Sequence, residues 1–210
     1  MVVTGRRVAA LREILAGSVY EEATVRPPAP RLEHFPDALR SNILALYHEL
    51  GGILDEPLLR PGTWDVPLKG GLVLELDEEQ HFTRYRTVTL DAPWAADLPW
   101  ARVYQQYAER AGDAHGGTGG GRWTSAAAEK QFGIADPEGA FILQGAPRWK
   151  QRALYDAMKD AAAAAGLVRL ARISVYDMVG SVSIGRVLYG RSTVSANAIA
   201  ELIRARTAGV

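Results

Sequence analysis

Residues Leu72-Val73-Leu74-Glu75-Leu76-Asp77 place a leucine at every second position, and that alternation constrains the fold more than any other stretch of the chain. Successive side chains of a strand point to opposite faces, so Leu72, Leu74 and Leu76 share one face and Val73, Glu75 and Asp77 the other. The leucine face demands a covering helix. The other face holds two carboxylates about 7 Å apart by strand rise, and Glu78, Glu79 and His81 follow at once. Carboxylates gathered on an inner face repel one another, and a bound divalent cation is the usual remedy.

The preceding strand, about 58–68, ends in Thr63-Trp64-Asp65-Val66-Pro67-Leu68 and joins the second, about 71–77, through Lys69-Gly70-Gly71. A three-residue hairpin loop with glycine in the left-handed region sets Leu68 against Leu72, Val66 against Leu74 and Asp65 against Glu75. A two-residue loop sets Asp65 opposite Leu74 and mixes the two faces. The apolar pattern therefore selects the register that assembles Asp65, Glu75 and Asp77 as candidate metal ligands.

The remaining sequence bounds where such a site can sit. A chain of 210 residues fits a single domain, and its 48% hydrophobic content is enough for a real core. The absence of cysteine excludes disulfides and thiolate metal sites. No apolar run approaches the roughly 20 residues that span a bilayer. Arg6-Arg7 leads into a segment too charged for a secretory leader, so the expectation is a cytoplasmic protein without membrane partners. The net charge is zero, but residues 1–147 hold 14 basic and 20 acidic side chains and residues 148–210 hold 10 and 4. A basic C-terminal third can supply phosphate contacts while the acidic part supplies ligands; uneven sorting of charge without function is the plainer alternative.

Helical periodicity appears at 5–16, 36–50, near 100–111, at 124–132, 148–165 and 195–206, the last capped by Ser195. A strand at 167–176 follows the alanine-rich helix directly. Residues 26–30 are too proline-rich for a helix or central strand. Residues 112–122 are glycine-rich but lack the Gly-Lys-Ser/Thr ending of a phosphate-binding loop, and read as a linker or flap. The elements describe a mixed α/β layer with helices covering a sheet.

Asp65, a short hairpin, then Glu75-Leu76-Asp77 with His81 four residues on, resembles the PD-(D/E)XK nuclease superfamily. The nearer likeness is to the very-short-patch mismatch-repair endonuclease-like branch, whose second strand reads apolar-apolar-Glu-apolar-Asp-Gly-x-x-His. Two positions depart from that pattern: Glu78 stands in place of the glycine, and Pro61 precedes Asp65 by four residues. The resemblance covers about 36–90 and 148–178, with 91–147 as an insertion. It implies a three-layer, restriction-endonuclease-like αβββαβ core with a mixed sheet flanked by helices. It also implies Mg²⁺- or Mn²⁺-dependent hydrolysis of phosphodiester bonds in nucleic acid, with DNA as the expected partner. Asp65 and Glu75 would be the first two ligands, Asp77 would replace the superfamily's lysine, and His81 would sit near the scissile phosphate. Glu49 could match a glutamate that some members add from the first helix. Arg84, Arg86, Lys150 and Arg152 become candidate phosphate contacts.

Other readings stay open. Glu75 and Asp77 could form a solvated strand face, His81 and Glu49 could be surface residues, and Arg84 and Arg86 could pair with the glutamates just before them. A nuclease-fold binding module without catalysis is the main alternative, and a structural partner protein using Trp94, Trp100 and the terminal helix is another. Both tryptophans, set beside prolines, read as packing anchors. His48-Glu49 lacks the second histidine of a zinc protease helix.

Overall fold

The structure, a computed structural model, describes residues 5–111, 113–114 and 122–209. Most of the glycine-rich stretch, His115 included, lies outside the described residues. In chain order the elements are α1 (Arg6–Leu15), α2 (Asp37–Glu49), β1 (Val66–Pro67), β2 (Leu72–Asp77), α3 (Arg84–Leu90), α4 (Ala101–Ala111) and α5 (Ala126–Phe132). Then follow α6 (Pro147–Ala164), β3 (Arg169–Ser174), β4 (Met178–Val179), β5 (Val182–Ser183), α7 (Ile184–Leu188), α8 (Ala196–Ala205) and β6 (Thr207–Ala208). The class is mixed α/β. No described helix is long and apolar enough to cross a membrane.

The chain forms two compact units. The first comprises the described residues up to Pro28, Thr63–Glu78 and those from Ala165 onward. The second comprises the described residues of Ala29–Gly62 and Glu79–Ala164. The hairpin and β3 thus belong to the first unit, while α2 and α6, the two helices that the resemblance assigns to the same core, belong to the second.

The first unit is organised by a four-stranded sheet in the order β1-β2-β3-β6. β1 runs antiparallel to β2, β2 parallel to β3, and β3 antiparallel to β6. Val66 pairs with Leu74, and Leu68 N–H donates to Leu72 O at 2.8 Å, which is the register that the apolar pattern selects. The loop works because Gly70 and Gly71 both take the left-handed region, at φ 76° and 74°. Leu72, Leu74 and Leu76 pack with Ala171 and Ile173 of β3 and with Leu11 and Leu15, Ile184 and Val187, and Ile199 and Ile203 from α1, α7 and α8. Each such side chain contributes about 1.5–3 kcal/mol when fully buried. The opposite face of β2 is also buried: Val73 is fully inaccessible, Glu75 is 4% exposed and Asp77 1%. A strand buried on both faces is what a parallel pairing usually carries.

α6 is the spine of the second unit. Its alanines 153, 157, 161, 162 and 163 are buried and let α2, α3 and α5 approach closely. Trp123 packs edge-to-face on Phe141 and on Trp149, which are tilted against each other, with centroids 5.1–5.7 Å apart. Trp94 and Trp100 are buried, as packing anchors should be.

The differences from the sequence reading have local causes. The first strand, expected from about 58, enters the ladder only at Val66, because Pro57, Pro61 and Gly62 interrupt the segment before it. Residues 84–90, where the sequence pattern predicts no helix, form α3, whose buried face carries Arg86 and Thr89 beside Leu90 rather than an apolar stripe. Among the described residues no strand lies between β2 and α6, so the third strand of an αβββαβ order is missing there. The fourth strand of the sheet is β6 instead.

Candidate functional site

The acidic end of the hairpin is closed by reciprocal bonds. Leu76 N–H donates to Asp65 Oδ2 at 2.9 Å, and Asp65 N–H donates to Glu75 Oε1 at 3.1 Å. Beyond Val66 the ladder ends, and these side chains satisfy main-chain donors that a longer β1 would have paired. Arg12 Nη2 donates to Asp65 O at 2.8 Å, tying α1 to the same corner. Asp65 and Glu75 are therefore brought together, with Asp65 half-buried and Glu75 buried.

Asp77 lies two residues further along the same face and meets a cation. Arg172 Nη1 is 2.7 Å from Asp77 Oδ1 and 2.8 Å from Oδ2, and neither side chain is more than 2% exposed. In the β2–β3 register Arg172 stands beside Glu75, and Ser174 stands beside Asp77. The guanidinium therefore reaches along the strand to grip the second carboxylate. A buried charge of either sign is tolerable only when so paired. Asp177, also buried, follows the same rule. It accepts from Ser174 N–H at 2.8 Å and from Arg206 Nη2 at 2.8 Å. Glu78 turns toward Arg7, with Nη1 and Oε1 3.8 Å apart.

Hard carboxylate oxygens suit a divalent cation such as Mg²⁺. The pair at the hairpin end, Asp65 and Glu75, fits that chemistry. Asp77 could ligate only by sharing the oxygens that Arg172 holds.

The other sequence candidates fall in the second unit. His81 Nδ1 lies 2.7 Å from Asp156 Oδ2, joining the turn Glu79–His81 to α6. One turn further along α6, Asp160 Oδ2 accepts from Arg86 Nη2 at 2.7 Å, and both side chains are 1% exposed. Arg86 is thus spent on a buried ion pair rather than presented as a surface phosphate contact. Arg152 Nη1 donates to Gln80 O at 2.9 Å. Arg84 is exposed, with Nε donating to Asp113 Oδ2 at 2.6 Å and its guanidinium 3.7 Å from the Phe141 ring centre. Glu49 is exposed at the end of α2. Lys150 is buried, and that burial pushes its ammonium below the usual lysine value.

Sequence reasoning missed three acting residues. Arg172 announces itself weakly, as a lone charge inside Leu-Ala-Arg-Ile-Ser. Asp156 and Asp160 stand four apart in an alanine-rich helix, a spacing that puts both on one face.

The described geometry covers a segment that matches a family model over residues 45–190, under the description "Family of unknown function (DUF7255)". The chain belongs to this family. The DUF7255 match takes in Asp65, Glu75, Asp77, Arg172 and Lys150 together. No curated protein and no solved structure matches the chain.

Proposed function

We propose that the hairpin of the first unit is a divalent-metal site for phosphodiester hydrolysis of nucleic acid, in a relative of the PD-(D/E)XK nucleases. The observation that supports this most is the β1–β2 register, which faces Asp65 with Glu75 and leaves Asp77 on the same side of β2. In this reading Asp65 and Glu75 would hold Mg²⁺ or Mn²⁺, which would supply polarisation of the phosphoryl oxygen and a lowered pKa for an attacking water. The hairpin bonds fix the spacing of those two carboxylates. Asp77 and Arg172 set the charge beside them: the arginine offsets one carboxylate so that the face is not prohibitively acidic. A restriction-endonuclease-like arrangement of the sheet is part of the same proposal, and DNA is its expected substrate.

The buried Asp77–Arg172 pair favours a second reading. With its third carboxylate committed to a protein cation, the site would be a relic and the chain a nucleic-acid-binding module without catalysis. Titration with Mg²⁺ and Mn²⁺, followed by plasmid cleavage, separates the two. An enzyme binds metal, nicks plasmid, and loses both in Glu75→Gln while still folded. A binding module retains DNA affinity in chelator, with a salt dependence set by its phosphate contacts. Absence of metal binding and of cleavage in the wild type removes the enzymatic reading.

A further inference from the structure

The second unit contains a cavity of about 490 Å³ whose lining includes Glu49, Arg84, Tyr85, Phe141, Gln144 and Lys150. That size lies within the usual range for small-molecule sites. Lys150 is the unusual member. Its side chain is 6% exposed, yet its ammonium makes no hydrogen bond or ion pair among the described residues. What it meets are two aromatic faces, Tyr85 at 5.6 Å and Phe132 at 5.9 Å from the ring centres. Cation–π contacts at such distances replace only part of the lost hydration.

The surroundings are built rather than loose. Gly51, at φ 84°, brings its backbone so near that an added Cβ would lie 2.9 Å from Lys150 Nζ. Gly145 does the same for Tyr85, whose hydroxyl oxygen would lie 2.2 Å from a Cβ there. The loop before α6 is wrapped on Asp136, whose carboxylate accepts from the N–H groups of Ile142 (2.6 Å), Leu143 (2.8 Å), Gln144 (3.2 Å) and Gly145 (2.8 Å). Those four bonds hold the Asp136 carboxylate, whose charge acts on Lys150 without a hydrogen bond to it. Burial raises the Tyr85 hydroxyl above its ordinary value, so it remains an O–H donor through the neutral range. Lys150 also sits in the first turn of an 18-residue helix, where the helix dipole favours an anion.

We infer that this cavity binds a phosphate group, with the Lys150 ammonium, the Tyr85 hydroxyl and the Gln144 amide as donors and Arg84 at its mouth. The anion supplies the oxygen partner that no described residue gives the Lys150 ammonium. The cavity is larger than a bare phosphate requires, so the ligand is a phosphate ester: either a small metabolite or the phosphorylated end of a nucleic acid strand. Glu49 is the one carboxylate among the lining residues named, and it disfavours the dianion. The site lies wholly in the second unit and stands whether or not the hairpin cleaves nucleic acid.

Calorimetric titration of the full chain tests this with three probes: inorganic phosphate, and a short oligonucleotide carrying either a 5′-phosphate or a 5′-hydroxyl. Wild type should bind phosphate. Lys150→Met should weaken it by on the order of tenfold or more, Tyr85→Phe by roughly threefold to tenfold, and Glu49→Gln should tighten it. A 5′-phosphate oligonucleotide that binds more tightly than its hydroxyl counterpart in a Lys150-dependent way identifies a strand end as the source. Equal binding of the two oligonucleotides, with free phosphate still bound, identifies a small ester. No binding of phosphate or of the phosphorylated strand by wild type overturns the inference. So does unchanged phosphate affinity in folded Lys150→Met or, should that variant not fold, in Tyr85→Phe and Glu49→Gln.

Discussion

At the hairpin of the first unit each acid meets donors from the protein itself, whereas in the second unit Lys150 is equally buried and faces aromatic rings and open space. Asp65 and Glu75 take main-chain N–H groups, and Asp77 takes Arg172. Among the described residues the Lys150 ammonium meets the π faces of Tyr85 and Phe132 and makes no hydrogen bond, and the Asp136 charge acts on it without contact. A full counter-charge, such as Arg172 gives Asp77, makes a charge structural and leaves that group little driving force for a ligand. A desolvated charge without an oxygen partner stores binding energy instead, since any anion that reaches it recovers part of the lost solvation.

The sharpest way to break the contrast is to strand one charge at the hairpin. Arg172→Met should destabilise the fold by about 3–5 kcal/mol in a denaturant titration, because Asp77 is left buried without its counter-charge. Arg172→Met combined with Asp77→Leu should recover most of that loss. A double variant no better than the single one would show that the pair is not the element at stake.

Asp136 comes next, and its effect should be local. Asp136→Ala removes the acceptor for four N–H groups, so amide exchange at Ile142–Gly145 should accelerate markedly while α6 stays protected. The acid limb follows from the bonds that lower its carboxyl below the ordinary value. Its contribution is present above the unfolded carboxyl value of about 3.9 and fades as pH falls through the lower folded one. Uniform exchange across 142–145 in the wild type and the variant would contradict this.

Lys150→Met should leave stability near neutral pH unchanged or raise it by about 1 kcal/mol, since an unpaired buried cation is removed. The pH dependence has a defined sign. Lys150 is lowered in the fold, so between its folded value and the unfolded value of about 10.4 the unfolded chain binds the extra proton and stability rises with pH. Tyr85, raised in the fold, acts in the opposite sense only above about 10, so the rise should be sought below that. A wild-type and Lys150→Met pair with parallel pH profiles would remove the assignment. The smallest effect belongs to Lys69→Ala, which breaks an exposed pair with Glu21 and should leave the melting temperature within error.

The hairpin was legible because leucines on one face leave only one register in which apolar residues oppose apolar residues. α6 and α8 were legible from alanine content and, for α8, from Ser195, whose Oγ does accept from Ala198 N–H. What escaped was pairing across long stretches of sequence. Asp77 and Arg172 lie in different strands brought side by side by a parallel ladder, and nothing local in either strand names its partner. α3 escaped because Arg86 and Thr89, its buried polar residues, imitate a solvated segment until Asp160 is placed opposite. The candidate metal face was therefore readable, while the arginine that bears on its chemistry was not.

The parallel pairing of β2 with β3 also dictates an order of events during synthesis. β2 leaves the ribosome early, but its neighbour follows only after the whole of residues 79–164 has been made. Until then the leucine face of β2 lacks β3, α7 and α8, and its unpaired edge is exposed to other chains. The helices of the second unit can meanwhile form from contacts already available to them. A chain built this way should depend on early shielding of Leu72–Asp77, and slowed translation between 79 and 164 should increase aggregation through that strand.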